Sequence, residues 1–367
     1  MAYLALYRKY RPQTFDKVVG QEHITKTLIN QIESNKISHA YLFCGTRGTG
    51  KTSVAKIFAR AINCENPVNG SPCGKCRSCQ ETSVLNNMDI MEIDAASNNR
   101  VDEIRDLREK VKYPPVFGKY KVYIVDEVHM LTDSAFNALL KTLEEPPAHC
   151  VFILATTEVQ KLPATILSRC MRFDFKLIEQ ETLEKMLKEI FDDSGVKYDD
   201  DAVAYIAKEG NGSARDTLSI ADMCVSFSNS NVTYDSVLQV LGVNDDSVLG
   251  QLVQSIIDED AGAYLAKVDE LVKLGKSLSM LARDMSIYFR NLMIVKTCKD
   301  FRNMIVLRDD VAELMKMQAN ALEMSQITDC LAEFGEVELN LKYSIRPQLL
   351  IEVAGLKCMK KKRMKKI

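Results

Sequence analysis

The sequence predicts an α/β domain built on a parallel sheet, followed by two all-helical parts. Three observations point there. Between residues 40 and 175 short apolar runs alternate with amphipathic stretches, a glycine-rich loop sits at the first run-to-helix junction, and after Phe175 the strand signal stops while helical periodicity continues. The runs are AYLFCG (40–45), DIMEIDA (89–95), KVYIVDEV (121–128), VFILATT (151–157) and MRFDF (171–175). Between them lie TSVAKIFARAIN (52–63), VDEIRDLREKV (101–111), SAFNALLKTLEE (134–145) and PATILSR (163–169), all of helical pattern. Apolar strands joined by helices of this length form a parallel sheet covered on both faces.

Beyond Phe175, EQETLEKMLKEIFDDSG, DDDAVAYIAKEGNGSARDTLSIADMCVSF and VTYDSVLQVLGV read as helices broken at Gly and Asp/Ser turns. They suggest a compact helical subdomain over 179–242, after a first domain over 1–178. Long helical segments such as SVLGQLVQSIIDEDAGAYLAKVDELVKLG and SLSMLARDMSIYFRNLMIVKTC fill a third domain over 243–356. Its methionines and aromatics at helical spacing read as packing. With no catalytic group in view, it reads as a support or assembly surface. Residues 357–367, KCMKKKRMKKI, hold seven Lys/Arg in eleven positions and read as a solvated basic tail, with a binding arm as the alternative.

At 367 residues, 46% hydrophobic and 27% charged, the chain is long enough for two or three domains with cores of their own. No run approaches the roughly 18 apolar residues of a membrane span, and MAYLALYRKYRPQTFDKVVGQ lacks a signal-peptide core, so a cytoplasmic, non-membrane protein is expected. A net charge of -2 gives no global attraction to nucleic acid, so any DNA contact must be local. Of eleven cysteines, four cluster and seven are scattered singly, as in a reducing compartment.

GTRGTGKT, Gly45 to Thr52, completes the phosphate-loop pattern between a strand and a helix. Gly45, Gly48 and Gly50 let the loop turn its N–H groups inward, together with Thr46, Arg47, Thr49 and the following Ser53. Lys51 is placed for the β- and γ-phosphates, and Thr52 for Mg²⁺. In VYIVDEVHM, Asp126 ends an apolar strand expected beside this loop, and Glu127 follows it. Asp126 suits the metal's hydration shell, and Glu127 a general base or water-aligning role, so hydrolysis is expected beyond binding. Two acids that merely cap a strand end are the plain alternative.

Cys64, Cys73, Cys76 and Cys79 are spaced x8, x2, x2 in a loop that also holds Gly70, Pro72 and Gly74. Four thiolates suit tetrahedral Zn²⁺ and leave no open coordination position, so the site is structural. Iron–sulfur ligation is the alternative, weakened because the Cys-Pro of the ferredoxin run is absent. ASNNRVDEIRDLR brings Ser97, Asn98, Asn99, Arg100 and Arg105 to the start of a helix. It reads as a phosphate-contacting edge or, equally, as a solvated face neutralised by Asp102, Glu103 and Asp106.

Taken together, YRKYRPQTFDKVVGQEH, HAYLFCGTRGTGKTSVAKIFARAINC, the cysteine cluster, EIDAAS, YIVDEVHML, NALLKTLEEPP, ILATTEVQKLPATILSRC and GSARDTLS resemble the gamma/tau family of the bacterial DNA polymerase III clamp loader, within the AAA+ ATPases. The resemblance runs in order from residue 3 to about 242, and the helical remainder is similar in character to that family's collar. It implies ATP, Mg²⁺ and Zn²⁺ as ligands. It implies a sensor role near the γ-phosphate for Thr157, which spacing alone leaves as a β-branched strand residue. It implies that Arg169 in SRC is an arginine finger entering a neighbouring subunit's site, whereas the residue alone reads as an Arg favoured by a helix C-terminus. Arg215 is implied as a second sensor, although Ser213 and Asp216 would make a capping box there unaided. Tyr7, Arg11, Pro12 and Val19 resemble the lining of the adenine pocket. The implied activity is the opening and loading of the beta sliding clamp onto primer–template DNA. The implied partners are delta and delta-prime subunits and further gamma/tau copies in a pentameric hetero-oligomer. Two other readings remain: a non-hydrolysing scaffold of the delta-prime type, against which the complete phosphate loop speaks, and a phosphate-loop nucleotide kinase with a zinc lid, against which the single cysteine cluster speaks.

Overall fold

The computed structural model describes residues 4–82, 88–97, 107, 109–241, 246–305 and 309–360. They fall into two compact units, 1–234 and 235–367.

The first unit is organised by five parallel strands, β1 (Ala40–Cys44), β2 (Ile90–Asp94), β3 (Lys121–Asp126), β4 (Cys150–Thr156) and β5 (Met171–Asp174). Each expected run is a strand. Their order is β2-β3-β4-β1-β5, so β4 lies between β1 and β3. Every residue of β1 and β4 is buried, as a strand with both faces covered requires. Alternate side chains serve two cores. Leu42, Tyr123, Val125, Phe152 and Leu154 pack with Phe136, Leu139 and Leu143 of helix Asp133–Glu144 on one face. Tyr41, Phe43, Ile124 and Ile153 pack with Ile24 and Leu28 of helix Glu22–Glu33 and with Val54, Ile57 and Phe58 of helix Lys51–Ile62 on the other. Helix Glu22–Glu33 was not among the expected elements.

The strand signal does not end at Phe175 after all. Lys197–Tyr198 and Asn231–Val232 form a two-residue parallel pair beside helices Gln180–Ser194, Asp200–Glu209 and Ala214–Phe227. Ser213 caps the last of these by accepting the Asp216 N–H at 3.2 Å, so the hydroxyl half of the expected capping box is present. Most of the proposed phosphate-contacting edge (98–106) and of the basic tail (361–367) lies outside the described residues.

Helices Asp246–Ile257, Ala261–Lys273, Leu278–Thr297, Asp309–Ala321, Met324–Leu341 and Pro347–Lys360 build the second unit around Leu252, Met285, Phe289, Met315, Phe334 and Ile351. Met285 and Met315 are fully buried, so those methionines are packing. Gln318, also buried, accepts from Tyr288 Oη at 2.8 Å and donates to the Gly250 carbonyl at 2.9 Å, so its polar atoms are satisfied inside an apolar bundle. No described helix is long and apolar enough to cross a membrane.

Candidate functional site

A parallel sheet gathers the residues that follow its strands at one edge. After β1 the chain turns through Gly45 to Gly50 and enters helix Lys51–Ile62, with Gly50 in the left-handed conformation at the N-cap. Gly45 and Gly48 are required by space as well as by backbone angle. A Cβ on Gly45 would lie 2.6 Å from the Phe175 carbonyl oxygen, and one on Gly48 would lie 1.8 Å from Ser213 Oγ. The loop closes round the Lys51 ammonium, which donates to the Gly45 and Thr46 carbonyls at 2.8 Å each. Burial pushes the Lys51 pKa down, and the charges of Glu127 and Asp126 oppose that shift. Thr46 and Arg47 are exposed at the loop tip, whereas Thr49 is buried with its hydroxyl on the Thr46 carbonyl at 2.9 Å.

β3 brings in the two acids. Thr52 Oγ1 donates to Asp126 Oδ2 at 2.7 Å across the intervening strand's end. A hydroxyl and a carboxylate side by side are hard oxygen donors of the kind Mg²⁺ takes, so the residues fit that ion. Glu127 stands at φ 48°, ψ 45°, a left-handed conformation that non-glycine residues seldom adopt and that marks functional sites when the surroundings hold it. Its Oε2 accepts from the Thr157 amide at 3.3 Å and from the Thr157 hydroxyl at 3.0 Å. β4, lying between β1 and β3, therefore delivers Thr157 to the catalytic candidate as well as spacing it from the loop. Lys51, Thr52, Asp126, Glu127 and Thr157 thus form one constellation.

The N-terminal segment and the last helix of the first unit close over the loop's other side. Arg11 Nε donates to Ser53 Oγ at 3.1 Å, and the Arg215 guanidinium lies over the Tyr7 ring, 5.4 Å from its centroid. Tyr10 Oη bonds Asp193 at 2.5 Å and Ser194 at 2.8 Å, tying the same segment to helix Gln180–Ser194. Pro12 and Val19 are half-buried. Gln21, which sequence reasoning did not single out, is fully buried and clamps Lys176, donating to its carbonyl at 2.7 Å and accepting its N–H at 3.2 Å.

Arg169 stands outside this constellation. It donates to Glu144 Oε1 at 2.8 Å, to the Thr165 carbonyl at 2.8 Å and to Ser168 Oγ at 3.2 Å, with a third of its side chain exposed. His129 was missed as well. It sits two residues after Glu127 with 6% of its side chain exposed, and a lone histidine has no spacing by which a sequence could flag it.

The four clustered cysteines meet as expected. Their sulfurs lie within 4.8 Å of one another, with Cys64 to Cys76 at 3.9 Å and Cys73 to Cys79 at 4.0 Å. Tetrahedral zinc with bonds of about 2.3 Å sets sulfurs about 3.8 Å apart, so the cluster fits zinc with little adjustment. Backbone N–H groups of Lys75 and Cys76 point at Cys73 Sγ at 3.4 and 3.3 Å and pull its pKa down to about 6, while burial pushes Cys79 up. The cluster follows the phosphate-loop helix along the chain.

Comparison with known proteins now bears on this geometry. Residues 20–179 match the family "DNA polymerase III, delta subunit", residues 182–230 the "DNA polymerase III clamp loader subunit, ATPase lid domain", and residues 232–366 "DNA polymerase III subunits gamma and tau domain III". The chain is 45% identical to the Bacillus subtilis DNA polymerase III subunit tau, over 97% of this chain and 63% of that protein. It is 44% identical to the Escherichia coli subunit tau, over 75% of this chain and 43% of that one. Against the DNA polymerase III subunit gamma of Buchnera aphidicola it is 37% identical, over 87% of this chain and 88% of the relative. It spans less than two thirds of the tau relatives' length. Among solved structures, the Thermotoga maritima RuvB Holliday junction branch migration motor superposes with a TM-score of 0.50 at 18% identity, covering 73% of this chain and 86% of that one. That likeness concerns the fold.

Proposed function

The chain belongs to the gamma/tau family of DNA polymerase III clamp-loader subunits, and from that premise we propose that it is an ATPase that loads a sliding clamp. It binds ATP at the phosphate loop and hydrolyses it to open the beta clamp and place it on primer–template DNA, within the polymerase III holoenzyme in the cytoplasm. The observation that carries this reading is the contact of Thr52 with Asp126 beside a buried Lys51, with Glu127 next along the chain.

Lys51 neutralises charge on the β- and γ-phosphates, and the N–H groups of residues 45 to 53 cradle them. Thr52 and Asp126 would hold Mg²⁺, which when bound neutralises charge that develops on the phosphoryl oxygens. Glu127 aligns or deprotonates the attacking water, and Thr157 holds Glu127 and reports on the γ-phosphate. Arg215 contacts phosphate from the helix that Ser213 caps, and Tyr7, Arg11, Pro12 and Val19 line the adenine side. Arg169 acts in trans, where an arginine finger accelerates hydrolysis by roughly 10³–10⁵. ATP then ties subunits together and its hydrolysis loosens them, because the two nucleotide states favour different subunit arrangements. Cys64, Cys73, Cys76 and Cys79 would hold structural Zn²⁺.

The work divides along the chain as an ATPase domain over 1–178, a lid over 179–242, a collar over 243–356 and a basic tail over 357–367. A lid match over 182–230 supports a separate lid, and a domain III match over 232–366 supports a separate C-terminal domain. Delta and delta-prime subunits and further copies of this chain complete a pentamer, with DNA as the trigger of hydrolysis.

The test is ATP turnover by the wild-type chain and by Lys51→Ala, Glu127→Gln and Arg169→Ala, with delta-type partners, clamp and primed DNA added stepwise. Primed DNA should stimulate the complete wild-type assembly, and all three variants should lose the stimulated rate. A complete assembly with no turnover above background overturns the reading.

A further inference from the structure

His129 lies on the short 3-10 turn Val128–Met130, which closes by a bond from the Met130 N–H to the Glu127 carbonyl at 2.8 Å. The turn follows directly from the left-handed Glu127, so the backbone conformation of the acid and the place of the imidazole are set together. Val128 between them is fully buried and anchors the turn to the core.

The ring is buried, and oxygens face both of its nitrogens. Nδ1 lies 3.0 Å from Thr156 Oγ1 and 3.4 Å from Glu127 Oε2, the same oxygen that Thr157 binds. Nε2 lies 3.3 Å from Glu158 Oε1. Thr156 Oγ1 accepts the Glu158 N–H at 3.0 Å, and the Glu158 carboxylate pairs with Lys161 at 2.9 Å. One edge of the imidazole is therefore moored to the end of β4 and the loop after it, while its Nδ1 corner faces the Glu127 carboxylate. With oxygens facing both nitrogens the buried ring has little freedom. A neutral imidazole with its one N–H on Nδ1 shares that proton between Thr156 Oγ1 and Glu127 Oε2, whereas an imidazolium also donates from Nε2 to Glu158.

We propose that His129 is a positioning residue for hydrolysis: with its ring moored to Thr156 and Glu158, its Nδ1 corner fixes the Glu127 carboxylate in the orientation that aligns the attacking water. The proposal rests on the assignment of Glu127 as the water-aligning acid. Thr157 alone leaves Glu127 held from one strand, so the carboxylate can swing about that contact. A second contact from the turn removes the swing, and small misplacements of an aligning group are costly in rate.

The discriminating variants are His129→Ala, His129→Asn and His129→Gln. The Asn amide nitrogen stands near the place of Nδ1 and the Gln amide nitrogen near that of Nε2, so only Asn can restore a contact to Glu127. In the complete assembly with primed DNA, His129→Ala should lower kcat about tenfold or more with KM for ATP within about twofold, the pattern of a lost transition-state contact. His129→Asn should recover most of the rate and His129→Gln should not. Adding His129→Ala to Glu127→Gln should bring no further loss, because groups acting through one another are not additive. Thermal melting and ATP affinity confirm that each variant is folded. If His129→Ala folds poorly, the Asn and Gln pair decides. Unchanged kcat in His129→Ala, equal rescue by Gln and Asn, or a loss confined to KM overturns the proposal. Full turnover in Glu127→Gln, measured alongside, removes the premise instead.

Discussion

Thr157 donates both its amide and its hydroxyl to one oxygen of Glu127, at 3.3 and 3.0 Å. The residue that follows β4 thereby holds the carboxylate of the residue that follows β3. Thr157→Val keeps the shape and the amide bond and removes only the hydroxyl. A hydrogen bond to a charged group is worth about 1.5–3 kcal/mol, so the carboxylate should lose its alignment. We expect kcat for ATP to fall about tenfold to a hundredfold with nucleotide affinity little changed. Steady-state turnover beside equilibrium binding of a non-hydrolysable analogue measures both, and a Thr157→Val enzyme with full kcat removes the hydroxyl from the mechanism.

Arg169 and Glu144 are paired within one chain at 2.8 Å, yet both are partly exposed. Such a pair contributes about 0–1 kcal/mol, which a neighbouring subunit's phosphates can outbid. A trans role predicts complementation. Chains carrying Lys51→Ala still present Arg169, and chains carrying Arg169→Ala still bind ATP, so a mixed assembly contains some complete sites. Turnover should reappear on mixing two preparations that are each inactive. Its absence, with mixed assemblies verified by mass, would place Arg169 in its own subunit's chemistry.

Some of this was legible in the sequence and some was not, for physical reasons. β1 and β4 were legible because burial on both faces demands an unbroken apolar run, Lys51 and Thr52 because the phosphate-loop pattern fixes their spacing, and Asp126 because it ends an apolar run. Strand order was not. Nothing in the VFILATT run says that it lies between β1 and β3, and that position is what sends Thr157 to Glu127. The pair Lys197–Tyr198 and Asn231–Val232 is two residues long on each side, too short for any period to register. Helix Glu22–Glu33 was legible in principle, because Ile24, Leu28 and Ile32 recur every four residues along one face and pack on the core. The pairings of His129 with Glu127 and of Glu144 with Arg169 escaped because the fold brings the partners together, which spacing along the chain does not encode.

Metal removal should separate stability from chemistry. With sulfurs 3.9 and 4.0 Å apart, one zinc per chain is expected by elemental analysis. Stripping it with a chelator, or replacing Cys79 by Ser, should lower the melting temperature by several degrees and expose the 64–79 insertion to protease. ATP affinity should stay within about twofold, since four protein ligands leave zinc no coordination position for nucleotide. A chromophore in the visible range with bound iron would reverse the assignment.

Gly48 offers a test of how the loop meets the helix that follows Ser213. A Cβ there would stand 1.8 Å from Ser213 Oγ and 3.2 Å from Arg215 Cβ, and its φ of 78° is unfavourable for any L side chain. Gly48→Ala therefore carries two penalties, a backbone cost of about 1–2 kcal/mol and a collision with the N-cap. Ser213→Ala alone should cost about 1 kcal/mol through the lost cap. Combined with Gly48→Ala, however, Ser213→Ala removes the oxygen that is struck. The double variant should then melt higher than the sum of the single losses predicts, and should recover part of the ATP affinity that Gly48→Ala loses. Strict additivity in both measurements would mean that the loop and the Ser213 cap do not meet in solution, and the proposed phosphate contact of Arg215 would fall with them.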